Sequence, residues 1–160
     1  MNRRSLQTER DYYRQQAAAH SRAADDANRL AGQLSDSINV ANAKIAAVND
    51  YLSRFVDRLD SADTDLTNAL SRVASSVGAG LNESASDFGV KDLNSGNSAL
   101  LANVRGNCDA IIDRLNRDIA SLQSQLSAAQ QRASEESVTS YNFSVSENQA
   151  QHDLDAAELT

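Results

Sequence analysis

Two histidines, one cysteine and three close pairs of aspartates are the residues of this chain whose types could carry chemistry. Imidazoles and carboxylates at helical spacing hold metals, a thiol beside a base makes a nucleophile, and paired acids can share general acid-base work. None of these patterns is met. His20 and His152 are far apart and have no ligand-spaced partner. Cys108 lies in an apolar series with Leu101, Val104, Ile111 and Leu115, where a free cysteine acts as a small hydrophobe. As the only cysteine it can form no intrachain disulfide. Asp25 and Asp26, Asp57 and Asp60, and Asp63 and Asp65 flank an apolar stripe, where charged residues face water. Cys-x-x-Cys, His-Glu-x-x-His, Gly-x-Ser-x-Gly and Gly-rich phosphate-loop motifs are absent from the sequence. The expectation is a protein that is not an enzyme, with no catalytic, cofactor-binding or metal-binding residues and no small-molecule substrate.

The elements that would position such residues are unusually legible. Stepping alternately three and four residues from Ala24 gives Ala27, Ala31, Leu34, Ile38, Ala41, Ile45, Val48, Leu52, Phe55, Leu59, Ala62, Leu66, Ala69 and Val73, all apolar. This seven-residue repeat is the signature of a coiled coil, and its 3.5-residue spacing keeps one seam turned toward a partner helix. Upstream the same phase continues through Leu6, Arg10, Tyr13, Ala17 and His20, so the seam becomes polar there. Gly32 costs about 1 kcal/mol relative to Ala in a helix, and a break at that point would give a three-helix bundle. The apolar phase nevertheless passes from Ala31 to Leu34 without a slip, which predicts one helix from about residue 6 to 77.

Composition agrees with few, long helices. There is no Pro and only 6 Gly, so the backbone has few places to turn, and 26 Ala and 21 Ser favour close helix packing over a large core. The formal net charge is −7. Residues 1–60 and 101–133 are close to neutral, whereas 134–160 hold six acids and no base. Nucleic-acid binding requires a basic stripe to neutralise phosphates, and none is present. No window approaches the length of a membrane span, and the first residues lack the apolar core of a cleavable signal peptide. A soluble protein, cytoplasmic as made, is expected, with signal-less export or incorporation into a particle as further routes.

Val77-Gly78-Ala79-Gly80-Leu81 is expected to end the first helix, and the Asn-, Ser-, Asp- and Gly-rich stretch to residue 98 to form a loop, with Phe88, Val90 and Leu93 tucked onto the helix ends. Ser98 is placed to cap a second helix over about 98–134, with a stutter between Val104 and Leu115 that locally relaxes the supercoil. From Tyr141 apolar and polar residues alternate through Phe143 and Val145, as in a half-buried strand. Residues 138–160 are therefore read as a strand-like segment followed by an acidic tail, outside a helical hairpin of residues 1–137. The fold class is all-α: an elongated antiparallel helical hairpin or coiled coil with a short extended C-terminal segment.

These lengths do not match. A helix over 6–77 would be roughly 108 Å long and one over 98–134 roughly 55 Å, so the second could cover only about half of the first. Leu34, Ile38, Ile45, Val48 and Leu52 would then be open to a partner, with Tyr141, Phe143 and Val145 as a second contact. The expected partner is another copy or a helical region of a different protein.

Asp11 to Leu34 and Asp109 to Leu126 resemble the two helices of the small helical substrates and partner proteins of type VII (ESX) secretion. The Trp-x-Gly turn of that family is absent, with Val77-Gly78-Ala79-Gly80 in its place, and Tyr141 is followed four residues later by Val145 rather than by the Asp or Glu of the export signal. The resemblance implies a hairpin that pairs with a helical partner and is associated with secretion. The residues by themselves point to a non-enzymatic helical interaction protein, or alternatively to a structural subunit of a phage or virion particle or filament, in which Tyr141 to Val145 would join a neighbouring subunit.

Overall fold

In the computed structural model the backbone is described for residues 3–77 and 83–158, and side chains for 3–72 and 95–157. Two helices account for all of it: α1, Arg3–Val77, and α2, Glu83–Glu158. They pack against each other as an antiparallel hairpin, the all-α class expected from the heptads. α1 is unbroken. Gly32 lies inside it, with open space where a Cβ would stand, so the preserved apolar phase outweighs the propensity cost of one glycine.

α2 departs from expectation at both ends. Residues 83–98 are helical rather than a loop, and Ser98 lies inside the helix, not at its cap. The Asn, Ser and Gly of this stretch are poor helix formers, but Asn97 and Leu101 continue the seam of the following heptads, and packing of a periodic face overrides weak local propensity. Of the turn expected at Val77 to Leu81, Val77 is the last residue of α1 and 78–81 lie outside the described residues, as do the side chains of Phe88, Val90 and Leu93. At the other end α2 continues to Glu158, so of the segment over 138–160 expected to be strand-like and a tail, residues 138–158 are helix. Residues two apart on a helix point about 200° apart. Alternation accordingly sends Phe143 inward and Tyr141 and Val145 outward, with no strand needed.

Two compact units make up the chain. The first joins residues 1–39 to 119–160; its core is Ala31, Leu34 and Ala129, with Leu122 and Leu126 packed against them. Leu6, Ala17, Ala24, Ala27, Ala133, Ala150 and Leu154 are also buried in this unit. The second comprises residues 40–118, with Ala41 and Cys108 buried. Facing residue numbers add up to about 160 in each, as Ala31 with Ala129 in the first and Asp63 with Asn97 in the second illustrate.

In the second unit two phase shifts face each other's helix. On α2 the stutter is present: Val104, Cys108, Ile112 and Leu115 turn inward, and Ile111 is left 50% exposed. On α1 the stripe slips by one residue after Leu59, so Asp63, Leu66 and Leu70 are half-buried while Ala62 and Ala69 are exposed. The side chain of Val73 lies outside the described residues.

Candidate functional site

The second helix is as long as the first, and this changes where the expected contact residues sit. Leu34 is buried in the core of the first unit. Ile38, Ile45, Val48 and Leu52 are half-buried along the same seam of α1. The length mismatch that left these residues open does not exist, because α2 extends over residues 83–158. Phe143 is also half-buried: its ring stacks on His20, with centroids 5.4 Å apart and planes 11° from parallel, and meets Tyr12 and Tyr13 edge-on or tilted at 6.4 and 6.3 Å. Of the eight residues, Tyr141 and Val145 face outward, at 69% and 49% exposure.

The acidic end of the sequence is not a free tail. Glu136 accepts a hydrogen bond at His20 Nδ1 over 2.5 Å, Arg14 lies 4.0 Å from Glu147, and Arg10 donates to Gln151 at 3.1 Å. The polar start of the α1 seam is thereby matched to acidic and amide groups of α2. Ser140 adds a hydroxyl bond to the carbonyl of Ala17 at 2.9 Å. His20 and Glu136 thus form a structural pair under an aromatic cluster, and Tyr13 donates to Glu9 nearby at 3.1 Å, a bond that raises its phenol pKa above the ordinary value.

Cys108 is buried, and the groove beside it is lined by Ala47, Val48, Tyr51, Val104, Asn107 and Ile111, none of which is a cation or a carboxylate or imidazole base. Asp26 pairs with Arg29, Asp63 accepts from Asn97, and Asp25, Asp57, Asp60 and Asp65 are exposed. Among the described residues no group of His, Cys, Asp and Glu is arranged to hold a metal, and no helix is long and apolar enough to cross a membrane.

One side of the second unit is different. Val40, Lys44, Ala47, Tyr51, Arg54 and Arg58 follow one another at steps of four and three on α1, and Leu100, Val104, Asn107, Ile111 and Arg114 do the same on α2. Such spacing puts each series on one helix face. The two faces meet at an apolar groove of about 350 Å³ between Ala47 and Tyr51 on one side and Val104 and Ile111 on the other. All the large exposed hydrophobic side chains of this unit among the described residues fall in these two series: Val40 at 54%, Tyr51 at 58%, Leu100 at 48% and Ile111 at 50%. Tyr51 stacks on Phe55, with centroids 6.3 Å apart and planes 25° from parallel. Arg54 is tied to Asp50, which lowers the Asp50 carboxyl pKa and raises that of the guanidinium.

The sequence carried this signal as a second apolar series one position before the seam. It is interrupted by Lys44, Arg54 and Arg58, so it reads as a solvated flank until the structure sets it beside Ile111. No family model, curated protein or solved structure matches the chain.

Proposed function

We propose that this chain is a non-enzymatic helical interaction protein, associating with a second copy or with the helical part of a larger partner. The observation that supports this reading is the apolar groove of the second unit with the exposed Tyr51 and Ile111 on its two sides, Val40 and Leu100 lying further along the same helix faces. Exposed hydrophobic side chains scattered singly need no explanation, whereas a contiguous patch marks a contact surface. A groove between two helices suits a third helix laid along it.

Burial supports the same reading. No described side chain is completely enclosed, since two helices can cover each other on one face only. Association would bury surface that the hairpin itself leaves in water.

Light scattering combined with small-angle scattering, giving mass and length together, tests the proposal. A dimer or a defined complex with a helical partner is the expected result. A single-chain mass at every concentration removes self-association, and failure to form a defined complex with any helical partner as well removes the reading. The alternative is a structural subunit of a phage or virion particle or filament, favoured by open-ended assembly in the same measurement; Tyr141 to Val145, expected to join its neighbour as a strand, is helical.

A further inference from the structure

We infer that two half-buried polar pairs, His20 with Glu136 and Asp63 with Asn97, choose the register in which the two helices of this hairpin pack. The inference concerns the hairpin alone and does not depend on the association proposed above. Its ground is a seam that leaves the choice open. In the first unit α1 is lined by Ala24, Ala27 and Ala31, and α2 by Ala129 and Ala133. Alanine knobs are small, and a seven-residue repeat presents nearly the same seam after a slip of one repeat. Such a slip, roughly 10 Å along the axis, would set Ala27, Ala31 and Leu34 opposite Leu126, Leu122 and Ile119. The seam would again be apolar, so hydrophobic burial separates the two registers only weakly.

The polar pairs do separate them. His20 and Glu136 meet at 2.5 Å with 30% and 22% of their side chains exposed, and the ring of Phe143 lies parallel to the imidazole. Asn97 donates to Asp63 at 2.8 Å. In the slip just described His20 would meet Ala129, Asn97 would meet Val56, and Glu136 would meet Tyr13, whose hydroxyl already serves Glu9. In the opposite slip Glu136 would meet Ala27 and Asn97 would meet Leu70. Either way a half-buried donor or acceptor loses its partner, which costs more than the bond itself contributes. Both helices are continuous, so one slip parts both pairs. Arg10 also reaches across, to Gln151, but it divides its guanidinium with Asp11 of its own helix, and its long side chain can follow a moving partner. A polar residue in a coiled-coil seam is known to fix register at some cost in stability. Register matters for the surface as well, because it sets Tyr51 beside Ile111 across the groove.

The test measures register directly, on the full chain carrying Cys108→Ala and spin labels at Ala18→Cys and Ala128→Cys, two exposed sites offset along the hairpin axis. With both pairs intact, electron-spin distance measurement should give one separation. His20→Leu, Glu136→Leu, Asp63→Leu and Asn97→Leu together should leave helicity and resistance to urea undiminished, yet add a second separation displaced by roughly 10 Å, the length of one repeat. Restoring either pair alone should return the single separation. A role in stability only would lower the urea midpoint without adding a second distance. One unshifted separation in the fully apolar variant overturns the inference, since packing or the connection would then fix the register; so does a second separation that neither restored pair removes. Should four leucines overfill the seam and unfold the chain, Ala at the same four positions replaces them and is read in the same way. Loss of the hairpin in both variants equally overturns the inference, because the pairs would then hold the helices together rather than choose between registers.

Discussion

Asn97 on α2 donates a hydrogen bond to the carboxylate of Asp63 on α1 at 2.8 Å, from the seam position where the heptad phase would place Ala62. A half-buried polar pair has replaced an apolar layer. Removing one member strands the other, whereas replacing both with apolar groups is neutral or favourable. Asn97→Leu alone should lower stability by about 1 kcal/mol, and the double variant Asp63→Leu with Asn97→Leu should recover that loss or exceed it. Urea melts followed by circular dichroism measure both; a double variant weaker than the single one would mean that the pair does not replace a layer.

Leu34 anchors the first unit between Ala31 and Ala129, against Leu122 and Leu126. Leu34→Ala should cost about 2 kcal/mol, toward the lower end for buried leucine because a two-helix core encloses it on one side only. Ile38→Asp with Ile45→Asp should go further. These residues lie on the internal seam, so the expected outcome is loss of helicity rather than release of an intact chain from a partner.

Gly32 and Gly106 both stand inside helices with open space at the Cβ position. Each change to Ala should raise stability by roughly 1 kcal/mol, through backbone entropy and helix propensity alone. A thermal melt that moves downward would show that one of these glycines serves a close contact.

Phe143 ties its turn of α2 to Tyr12, Tyr13 and His20. Phe143→Ala should speed amide exchange in residues 10–24 and 136–150 while leaving 40–70 little changed, because the contacts removed all belong to the first unit. Uniform acceleration along the chain would instead indicate a single cooperative structure.

Two groups set opposite pH limits. Arg54 holds the Asp50 carboxyl below its ordinary 3.8, so the contribution of that pair is present above the unfolded value and is lost as pH falls through the folded one. Glu9 holds the Tyr13 phenol above 10.0, so its contribution is complete below that value and is lost as pH rises through the folded one. Asp50→Asn should flatten the acid limb of a stability profile slightly, and Glu9→Gln the alkaline limb. Both effects should be small and shrink in salt, because Asp50 and Arg54 are exposed to solvent and Glu9 and Tyr13 are partly so.

The fold was legible where one physical signal dominated. From Ala24 to Leu59 nothing competes with the heptad, and α1 follows it without a break across Gly32. Local composition misled where it disagreed with periodicity: Asn94 to Ser98 look like a loop, yet Asn97 is in phase with Leu101 and the stretch is helical. The alternation at Tyr141 to Val145 had two solutions, a strand with one apolar side or a helix with apolar residues on opposite faces. Phe143 settles it by joining the seam. The candidate face was not visible beforehand because half of it lies on each helix, and only the hairpin register brings Tyr51 beside Ile111.

That register also orders the folding of the chain. Asp63 and Asn97 are separated by 34 residues, Arg10 and Gln151 by 141. Closing the longer loop from a disordered chain costs about 1.3 kcal/mol more in entropy than closing the shorter. Zippering therefore starts nearer the connection, and the basic and acidic ends join last. Pulled apart by its termini, the molecule should yield in the reverse sequence, giving up its His20 and Phe143 clasp before Asp63 and Asn97 bear any load.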